Sequence, residues 1–381
     1  MNDQTLGLYL HIPFCKSKCI YCDFYSLPHS EEQMDRYTAA LCRHVAEMAP
    51  RCAEMTVDTV YFGGGTPSYL GAERLAQLLK TVLNHYRVAP DAEITLEANP
   101  DSIGTLAQVQ KLRAAGFNRI SLGVQTCDDG LLRTIGRIHT FAQVEEAVRC
   151  IRGAGFDNLS LDLIYGLPGQ TMSHWAATLE KAAALNPEHM SCYGLKVEEG
   201  TPLWNLRDKL PLPDDDLQAD MYLHTVRWLE EAGYCQYEIS NFARAGRDSR
   251  HNMRYWVLQP YAGFGPGAHS DFGGERYAFV RDLAAYCRGV EEGGDVFSER
   301  ESVSPDERAL EYLMLGLRTV RGIGEDEFEA RFGRSFAPIR AVLAPLAKRG
   351  LAVEQQGRWH LTPEGFLLSN AIIGSVLETQ E

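Results

Sequence analysis

Residues 9–22 read YLHIPFCKSKCIYC, so a short apolar run leads into a loop that carries Cys15, Cys19 and Cys22. The run from Leu8 to Ile12 predicts a β-strand, and the cysteines follow its carboxyl end at a C-x₃-C-x₂-C spacing. Three thiolates on one short loop can hold a cuboidal iron–sulfur cluster, whereas a cluster used only for electron transfer normally takes four cysteines. The spacing therefore predicts a cluster with one open iron and an exchangeable ligand.

Two alternatives to a cluster are a structural zinc ion and three unconnected thiols. Structural zinc usually takes its ligands as two separated pairs, and no second cysteine pair follows in this sequence. The seven remaining cysteines are scattered, at Cys42, Cys52, Cys127, Cys150, Cys192, Cys235 and Cys287. The clustered trio therefore favours iron–sulfur chemistry over both alternatives.

The composition is that of a globular protein and disfavours two kinds of partner. The chain has 381 residues, of which 45% are hydrophobic and 23% charged, so it can bury a large core. Its formal net charge of −14 repels phosphate backbones and anionic lipid surfaces, so we expect no nucleic-acid partner. No apolar run reaches the ~18 residues of a membrane span, and residues 1–5 lack the basic start of a leader. We therefore expect a soluble, cytoplasmic protein whose thiols are reduced.

Short strand-like runs alternate with amphipathic helical patterns through the first half of the chain. The predicted strands are 8–12, 59–62, 93–97, 119–124, 158–164 and 190–195. The predicted helices between them are 31–48, 73–86, 105–115, 142–154 and 173–185. This alternation predicts an α/β fold with a parallel sheet, and six units favour a partial (β/α)6 barrel over a flat doubly wound sheet.

The chain is predicted to have three segments. Residues 1–235 form the partial barrel with a following helix, and residues 236–300 form an irregular segment rich in glycine, histidine and aromatic residues. Residues 301–381 form a mainly helical C-terminal accessory domain, with a small two-stranded wing at 351–356 and 358–362. A wing of this kind can also bind DNA, but the acidic balance of the chain favours a packed accessory domain.

Polar residues follow several of the predicted strands. The second strand runs into Gly63-Gly64-Gly65-Thr66-Pro67, where glycines let the backbone approach a ligand closely. Four further residues lie at or just beyond later strand ends: Glu97, Gln125, Arg137 and Asp162. Each alone is typical of a solvated or locally hydrogen-bonded residue. Because they recur once per strand–helix unit, we expect them to converge at the mouth of the barrel.

The C-x₃-C-x-Y-C motif of Cys15, Cys19, Tyr21 and Cys22 resembles that of the radical S-adenosylmethionine (SAM) superfamily. The resemblance implies a [4Fe–4S] cluster on the three cysteines and SAM bound to the open iron through its amino and carboxylate groups. The entry strand and the layout of the whole chain are similar to the oxygen-independent coproporphyrinogen oxidase group. That similarity implies a set of SAM-binding residues, namely Tyr9, Tyr21, Gly64, Gly65, Thr66, Glu97, Gln125, Arg137 and Asp162. Arg137 suits the SAM carboxylate because its guanidinium can donate two parallel hydrogen bonds.

Two differences separate this chain from the oxidases of that group. The oxidases carry a further cysteine where this sequence has Phe24, and they have a longer N-terminal arm. In exchange, residues 251–256 read HNMRYW, an H-N-x-x-Y-W motif that resembles the haem chaperone branch of the group. Imidazole ligates haem iron and aromatic rings can flank a macrocycle, so His251 is the predicted haem ligand and His269 the second candidate. The alternative is that these aromatic residues only pack a domain junction.

The resemblance implies a haem chaperone that binds the cluster, SAM and haem and passes haem to acceptor apo-proteins. It leaves open a peripheral contact with membrane haemoproteins, and a monomer or a homodimer. Three alternatives remain: an oxygen-independent coproporphyrinogen III oxidase, another radical SAM enzyme acting on a tetrapyrrole, and a non-catalytic iron–sulfur scaffold. Phe24 is the feature against the oxidase, and whether the chain is an enzyme stays open.

Overall fold

The computed structural model describes residues 5–27 and 30–380, which form two compact units. The first unit contains the residues up to Gln218 and Pro260–Glu301, and the second contains Ala219–Gln259 and the residues from Ser302 onward. The predicted 236–300 segment therefore divides between the two units. Residues 1–4, on which the expected absence of a leader rests, lie outside the described residues.

Six parallel strands form the centre of the first unit and pair in chain order. They are β1 (Thr5–Ile12), β2 (Thr56–Gly64), β3 (Val88–Ala98), β4 (Arg119–Gln125), β5 (Leu159–Tyr165) and β6 (His189–Gly194). The helices are α1 (Glu31–Met48), α2 (Ala72–His85), α3 (Leu106–Ala115), α4 (Asp129–Thr134), α5 (Phe141–Gly153), α6 (Met172–Ala184), α7 (Pro202–Leu206) and α8 (Asp215–Glu231). The predicted parallel α/β architecture is confirmed, and every predicted strand and helix overlaps an observed one.

Local sequence explains why these elements begin and end where they do. Ser30 and Thr171 form capping boxes at the starts of α1 and α6, so side-chain oxygens satisfy N–H groups that have no partner within the helix. Gly116 ends α3 with a φ of 119°, a conformation that glycine adopts without strain. Every residue of β4 is buried, as expected for a parallel strand that is covered on both faces. Because the six strands are parallel, the loops that follow them lie at one edge of the sheet.

The second unit begins at Ala219 within α8, and the antiparallel strands β7 (Cys235–Glu238) and β8 (Asn241–Ala243) follow. Helix α9 (Arg250–Trp256) follows and carries the H-N-x-x-Y-W motif. The Oγ of Ser249 accepts the N–H of Asn252 at 3.4 Å, and the N–H of Ser249 donates to the hydroxyl of Tyr237 at 3.3 Å. These bonds fix the start of α9 on the β7 strand.

Residues 260–301 return to the first unit. Strand β9 (Tyr261–Phe264) pairs in parallel with β1, and the antiparallel strands β10 (His269–Phe272) and β11 (Glu275–Phe279) follow. Helix α10 (Leu283–Glu292) leads to β12 (Phe297–Ser302), which pairs with β11. The prediction of an irregular segment at 236–300 is therefore wrong. Its strands have only three to six residues, too few for a two-residue alternation to be visible in the sequence.

The rest of the second unit is mainly helical, as predicted. It contains α11 (Pro305–Gly316), β13 (Ile323–Gly324), α12 (Glu325–Phe332), α13 (Ala337–Lys348), β14 (Ala352–Gln355), β15 (Arg358–Leu361), α14 (Pro363–Leu367) and α15 (Ser369–Glu378). The predicted wing is the antiparallel pair β14 and β15, which β13 extends to three strands. Among the described helices of the chain, none is long and apolar enough to cross a membrane.

Candidate functional site

The cysteine loop leaves β1 and is closed at its base by backbone hydrogen bonds. The N–H of Cys15 donates to the carbonyl of Leu27 at 3.3 Å, and the N–H of Leu27 donates to the carbonyl of Pro13 at 2.8 Å. Within the loop, the N–H of Cys22 donates to the carbonyl of Cys19 at 3.3 Å. All three cysteines of the motif are unpaired by disulfides and partly exposed. Because the backbone holds the loop, its thiols are available as ligands.

The three thiols fit a cluster better than a single ion. They lie close enough for each to interact electrostatically with another thiol of the loop, and burial raises the pKa of Cys15 and Cys22. At Cys15 a hydrogen bond of 3.3 Å with the hydroxyl of Thr66 opposes this effect. Within residues 5–27 and 30–380, no three His, Cys, Asp or Glu side chains are grouped to hold one metal ion. In a cubane each cysteine binds its own iron, so separated thiols on one loop match its needs.

The glycine turn after β2 packs directly on the cysteine loop. The N–H of Gly65 donates to the carbonyl of Ile12 at 2.9 Å, and the N–H of Thr66 donates to the carbonyl of Phe14 at 2.8 Å. A Cβ atom on Gly65 would lie 2.8 Å from the carbonyl oxygen of Phe14 and 3.1 Å from the Sγ of Cys15. Only glycine allows so close an approach, so the turn and the cysteine loop position each other.

A chain of hydrogen bonds leads from the cysteine loop to Arg137. The Nδ2 of Asn99 donates to the Oγ1 of Thr66 at 3.1 Å, and that oxygen also contacts the Sγ of Cys15. The Nη1 of Arg137 donates to the Oδ1 of Asn99 at 2.8 Å. On its other side, Arg137 donates from Nη2 to the hydroxyl of Tyr21 at 2.8 Å, so the guanidinium is held at both ends.

Thr66, Asn99 and Arg137 border an open cleft. Its walls include Lys16, Cys19, Thr66, Asn99, Asp101 and Arg137. The ammonium of Lys16 lies 3.9 Å from the carboxylate of Asp101, so both signs of charge are present on the cleft wall. Such a cleft can hold a zwitterion, with the carboxylate near the guanidinium and the ammonium near an acidic or hydroxyl group.

Gln125 joins the same group from the end of β4. Its φ of 68° lies in the left-handed region, which is uncommon for a residue other than glycine. A Cβ atom on Gly123 would lie 2.7 Å from the Oδ1 of Asn99, 2.9 Å from the Nε2 of Gln125 and 3.6 Å from the Nη1 of Arg137. Three polar side chains therefore meet above Gly123, which brings Gln125 and Arg137 together as the strand-end pattern predicts.

The carboxylate of Glu97 accepts hydrogen bonds from the last residues of β2. Its Oε1 accepts the hydroxyl of Tyr61 at 2.8 Å, and its Oε2 accepts the N–H of Gly64 at 3.1 Å. Burial raises the pKa of Glu97 to about 7. Gly64 has a φ of 116° and leaves no room for a Cβ atom beside the ring of His11. Glu97 thus holds the glycine turn in its conformation.

Asp162 lies among serines of three neighbouring strands. Its carboxylate accepts the hydroxyls of Ser121 at 3.0 Å, Ser191 at 2.9 Å and Ser160 at 3.4 Å. Burial raises the pKa of Asp162, and the hydroxyl donors and the nearby Arg119 oppose that effect. The structure therefore places Asp162 in a polar network of β4, β5 and β6, outside the walls of the cleft.

The two predicted tyrosines have different surroundings. The hydroxyl of Tyr9 lies 3.0 Å from the Nδ1 of His11, and its ring stacks on Tyr61 at 6.3 Å between centroids. Tyr21 packs against an apolar cluster formed by Leu131, Ile135, Ile164 and Leu167. Burial raises the pKa of Tyr21 to about 12, so its hydroxyl stays neutral and accepts the hydrogen bond from Arg137.

The two predicted haem residues lie in different units. His251 is only 1% exposed, and its Nε2 lies 2.8 Å from the hydroxyl oxygen of Tyr255 one helical turn away on α9. His269 is exposed at the start of β10 in the first unit. Sequence patterns treat both as imidazole ligands, but only His269 has an exposed side chain.

Phe24, which stands where the oxidases have a further cysteine, is 63% exposed. Its carbonyl accepts the Nζ of Lys18 at 3.3 Å, within the same loop as the cluster ligands. This position supplies no thiol to a cluster or substrate.

Sequence reasoning missed Asn99 and His139. Asn99 links Thr66 to Arg137, and His139 lines the cleft and is 3% exposed. Asn99 follows directly on β3, so the strand-end pattern that selected Gln125 applies equally to it. His139 lies two residues beyond Arg137 in a loop, where no periodic signal marks it.

Comparison with known proteins places the chain in a family. Residues 9–182 match the radical SAM superfamily, and residues 303–368 match the HemN C-terminal domain. The chain is 38% identical to the heme chaperone HemW of Bacillus subtilis (strain 168), over 97% of this chain and 98% of that protein. It is 35% identical to the heme chaperone HemW of Escherichia coli (strain K12), over 97% of each. Its structure resembles the radical SAM enzyme coproporphyrinogen III oxidase (HemN) from Escherichia coli, with a TM-score of 0.85, 28% identity, and coverage of 98% and 90%.

The cysteine loop at the carboxyl edge of a parallel sheet and the match of residues 9–182 define a radical SAM protein. The near-full-length relatives then specify the branch, and the chain belongs to the heme chaperone HemW family. The resemblance inferred from the sequence is thus confirmed, as is the partial-barrel fold with a helical C-terminal domain. Membership of the superfamily implies a [4Fe–4S] cluster and SAM as cofactors.

Proposed function

We propose that this protein is a haem chaperone that binds a [4Fe–4S] cluster, SAM and haem and transfers haem to acceptor apo-proteins. The observation that carries the proposal is the near-full-length similarity to proteins named heme chaperone HemW. In this proposal the chain acts in the cytoplasm as a monomer or homodimer and contacts membrane haemoproteins peripherally. The cysteine loop supports the proposed binding of the cluster and SAM, and α9 supports the proposed binding of haem.

Cys15, Cys19 and Cys22 would hold the cluster, since they are the clustered thiols of the chain and their loop is fixed by its own backbone. When bound, such a cluster supplies an electron and an iron position that is open to SAM. The glycine turn keeps the cysteine loop in place, because Gly65 touches both the backbone of Phe14 and the thiol of Cys15.

Arg137 is the proposed partner of the SAM carboxylate. A guanidinium has about five N–H donors. Asn99 and Tyr21 accept three of these, so two remain without a partner among the described residues. The held orientation makes these two N–H groups a fork suited to a carboxylate.

The other predicted SAM residues divide into two groups by what their polar atoms contact. Thr66 and Gln125 lie with Arg137 and Asn99 and are proposed as direct contacts. The remaining residues are proposed to shape the site from behind, because their polar groups or backbone hold neighbouring residues in place: Tyr9, Tyr21, Gly64, Gly65, Glu97 and Asp162. The predicted set is therefore retained with distinct roles.

Helix α9 is the proposed haem-binding segment. Tyr255 and Trp256 are both partly exposed at its end and offer aromatic surface to a flat macrocycle. The relatives are named heme chaperones, and the H-N-x-x-Y-W motif that carries the resemblance lies on this helix. His251 and His269 remain predicted ligands that no comparison tests.

An oxygen-independent coproporphyrinogen III oxidase is the second candidate. The structural likeness to HemN, with a TM-score of 0.85 and 28% identity, favours it. Phe24 argues against it, because the position that carries a further cysteine in the oxidases holds an exposed phenyl ring here. The two functions differ in a property that one experiment can measure.

Anaerobically reconstituted protein should be titrated with haem while coproporphyrinogen turnover is assayed in parallel with SAM and a reductant. We expect a Soret shift that saturates at about one haem per chain, and no protoporphyrinogen above background. The Cys19→Ala variant is the control for turnover that depends on the cluster. Robust turnover without haem binding would replace the chaperone proposal with the oxidase.

A further inference from the structure

We infer that Tyr255, as a phenolate, is the residue that binds haem iron, and that His251 is a positioning residue that donates a hydrogen bond to the Tyr255 oxygen. The inference rests on the proposed haem-binding function and identifies the iron ligand at that site. It differs from the prediction made from the motif alone, in which His251 itself binds the iron.

His251 and Tyr255 contact each other on α9. The Nε2 of His251 lies 2.8 Å from the hydroxyl oxygen of Tyr255, and the rings are perpendicular with centroids 5.3 Å apart. Residues four apart on a helix are neighbours on one face, so the helix itself maintains this pair. An imidazole binds iron through the lone pair of a ring nitrogen, and here the Nε2 atom is used by the phenol.

The side chains of α9 differ in their exposure to solvent. Haem iron lies at the centre of a flat macrocycle, so its ligand atom must stand clear of the surrounding protein surface. The side chain of His251 is 1% exposed, whereas Tyr255 and the adjacent Trp256 are both partly exposed. A porphyrin can therefore reach part of the surface of Tyr255 and Trp256, whereas the buried imidazole of His251 offers almost none.

The phenol oxygen of Tyr255 also has a hydrogen-bond partner on its own helix. A hydrogen bond donated to the charged form of a group favours that form. With its proton on Nε2, His251 supplies that hydrogen bond. Tyrosine is one of the established axial ligands of haem iron in proteins.

The binding step balances without an oxidant or a reductant. The iron–oxygen bond forms as the phenolic O–H bond breaks, the proton passes to solvent, and no electron is transferred. The iron is supplied as ferric haem, whose positive charge an anionic oxygen ligand offsets. We therefore expect the site to hold ferric haem more tightly than ferrous haem.

The test is resonance Raman spectroscopy of the full-length, cluster-loaded protein with ferric haem, excited in the phenolate-to-iron charge-transfer band. Wild-type protein should show phenolate ring modes, which tests the ligand without any substitution. Tyr255→Phe should lose these modes and weaken ferric haem binding by at least about tenfold, as loss of a ligand exceeds loss of an outer partner. Tyr222→Phe is the matched control, because it removes another tyrosine hydroxyl of the same unit, one that accepts a hydrogen bond from Gln236.

Variants of His251 separate positioning from ligation. His251→Gln places an amide donor near the position of Nε2 and should retain the phenolate modes. His251→Leu removes the donor and should shift the modes without abolishing them. Melting temperatures and far-ultraviolet circular dichroism of each variant check that the protein remains folded.

The outcomes are distinct. Absence of phenolate modes in wild-type protein that binds haem would overturn the tyrosine assignment and leave the chaperone proposal intact. The same holds if haem is lost from His269→Ala while Tyr255→Phe binds normally. If wild-type protein binds no haem at all, both the proposed function and this inference are overturned.

Discussion

The cysteine loop of the first unit and helix α9 of the second unit both carry a short motif. The two motifs differ in what holds their side chains in position. In the loop, backbone hydrogen bonds and the close contact of Gly65 hold the chain in place, and the Cys15 thiol adds one contact of 3.3 Å with the hydroxyl of Thr66. On α9 the motif side chains contact one another, as His251 and Tyr255 do at 2.8 Å. Ligand identity therefore follows from spacing in the loop, whereas on the helix it depends on which side chain is already engaged.

The largest effect is expected from removing a cluster ligand. Anaerobically reconstituted wild-type protein should contain about four irons and four sulfides per chain, the content of one cubane. Replacing Cys15, Cys19 or Cys22 by Ala should abolish the cluster's visible absorption, because each ligand binds a separate iron. Iron and sulfide analysis of the purified variants provides the measurement.

Cys127→Ala is the matched control for the cysteine variants. Cys127 is buried and its thiol contacts the carbonyl of Thr178 in the protein interior, so it should leave the cluster content unchanged. If Cys127→Ala lost the cluster while Cys19→Ala retained it, the loop could not be the cluster site. The spacing of the cysteines would then not identify the ligands.

The next effect concerns SAM. Losing a charged, bidentate contact from a partly dry site costs on the order of 2–5 kcal/mol, which corresponds to well over tenfold in affinity. Arg137→Ala should therefore weaken SAM binding by that amount without changing the iron content. The SAM-induced change in the EPR signal of the reduced cluster measures this.

Two further arginine variants sharpen that result. Arg137→Lys keeps the charge but lacks the planar fork, so it should recover only part of the affinity. Arg133→Ala removes an exposed guanidinium from the last turn of α4 and should bind SAM normally. A SAM titration of Arg137→Ala that matches wild type would remove this residue from the site.

The sequence predicts the first unit well for physical reasons. Strands such as β4 are buried along their length, and helices such as α1 begin at a capping box, so periodicity and caps mark them directly. The strand-end pattern predicts that Glu97, Gln125, Arg137 and Asp162 converge, because parallel strands end at one edge. The structure brings Gln125 and Arg137 together and leaves Asp162 outside the cleft. Asn99 obeys the same rule, and an unbroken list of strand-end polar residues would have included it.

Other features could not be predicted from the sequence. Strands β9 to β12 are short and separated by turns, so no alternation marks them, and their position beside β1 depends on long-range pairing. The engagement of Glu97 by Gly64 and Tyr61 depends on the three-dimensional path of the β2 turn. On α9 the four-residue spacing permits His251 to contact Tyr255 but equally permits each to face a ligand.

A smaller effect is expected from the ionisation of Glu97. Its folded-state pKa of about 7 lies above the ordinary value of 4.5, so the folded protein binds more protons than the unfolded chain between these pH values. The stabilisation is therefore complete below about pH 4.5 and is lost as the pH rises through about 7. This difference in pKa corresponds to a decrease in the free energy of unfolding on the order of 3 kcal/mol across that pH range.

Glu97→Gln keeps an acceptor for the N–H of Gly64 but does not titrate. Between pH 5 and pH 8, urea unfolding should show the wild type losing more stability than this variant. Tyr61→Phe removes a hydrogen bond that lowers the pKa of Glu97, so its loss of stability should move to higher pH. If the stability of wild type and of Glu97→Gln changed equally with pH, the pKa of this carboxylate would be the same in the folded and unfolded states.

The smallest effect tests whether haem binding depends on the folded first turn of α9. Ser249 caps α9 by accepting the N–H of Asn252, and replacing such a cap by alanine typically costs about 1 kcal/mol. If haem binding requires the His251–Tyr255 pair on an intact helix, Ser249→Ala should weaken haem binding by up to about fivefold. Ser249→Gly should cost only a few tenths of a kcal/mol, because glycine is tolerated at this position. Soret titrations of both variants should separate them, whereas iron content and SAM binding should stay at wild-type levels in each. Equal haem affinity in Ser249→Ala and wild type would mean that haem binding does not depend on the first turn of α9, so the side-chain geometry there would not decide the ligand.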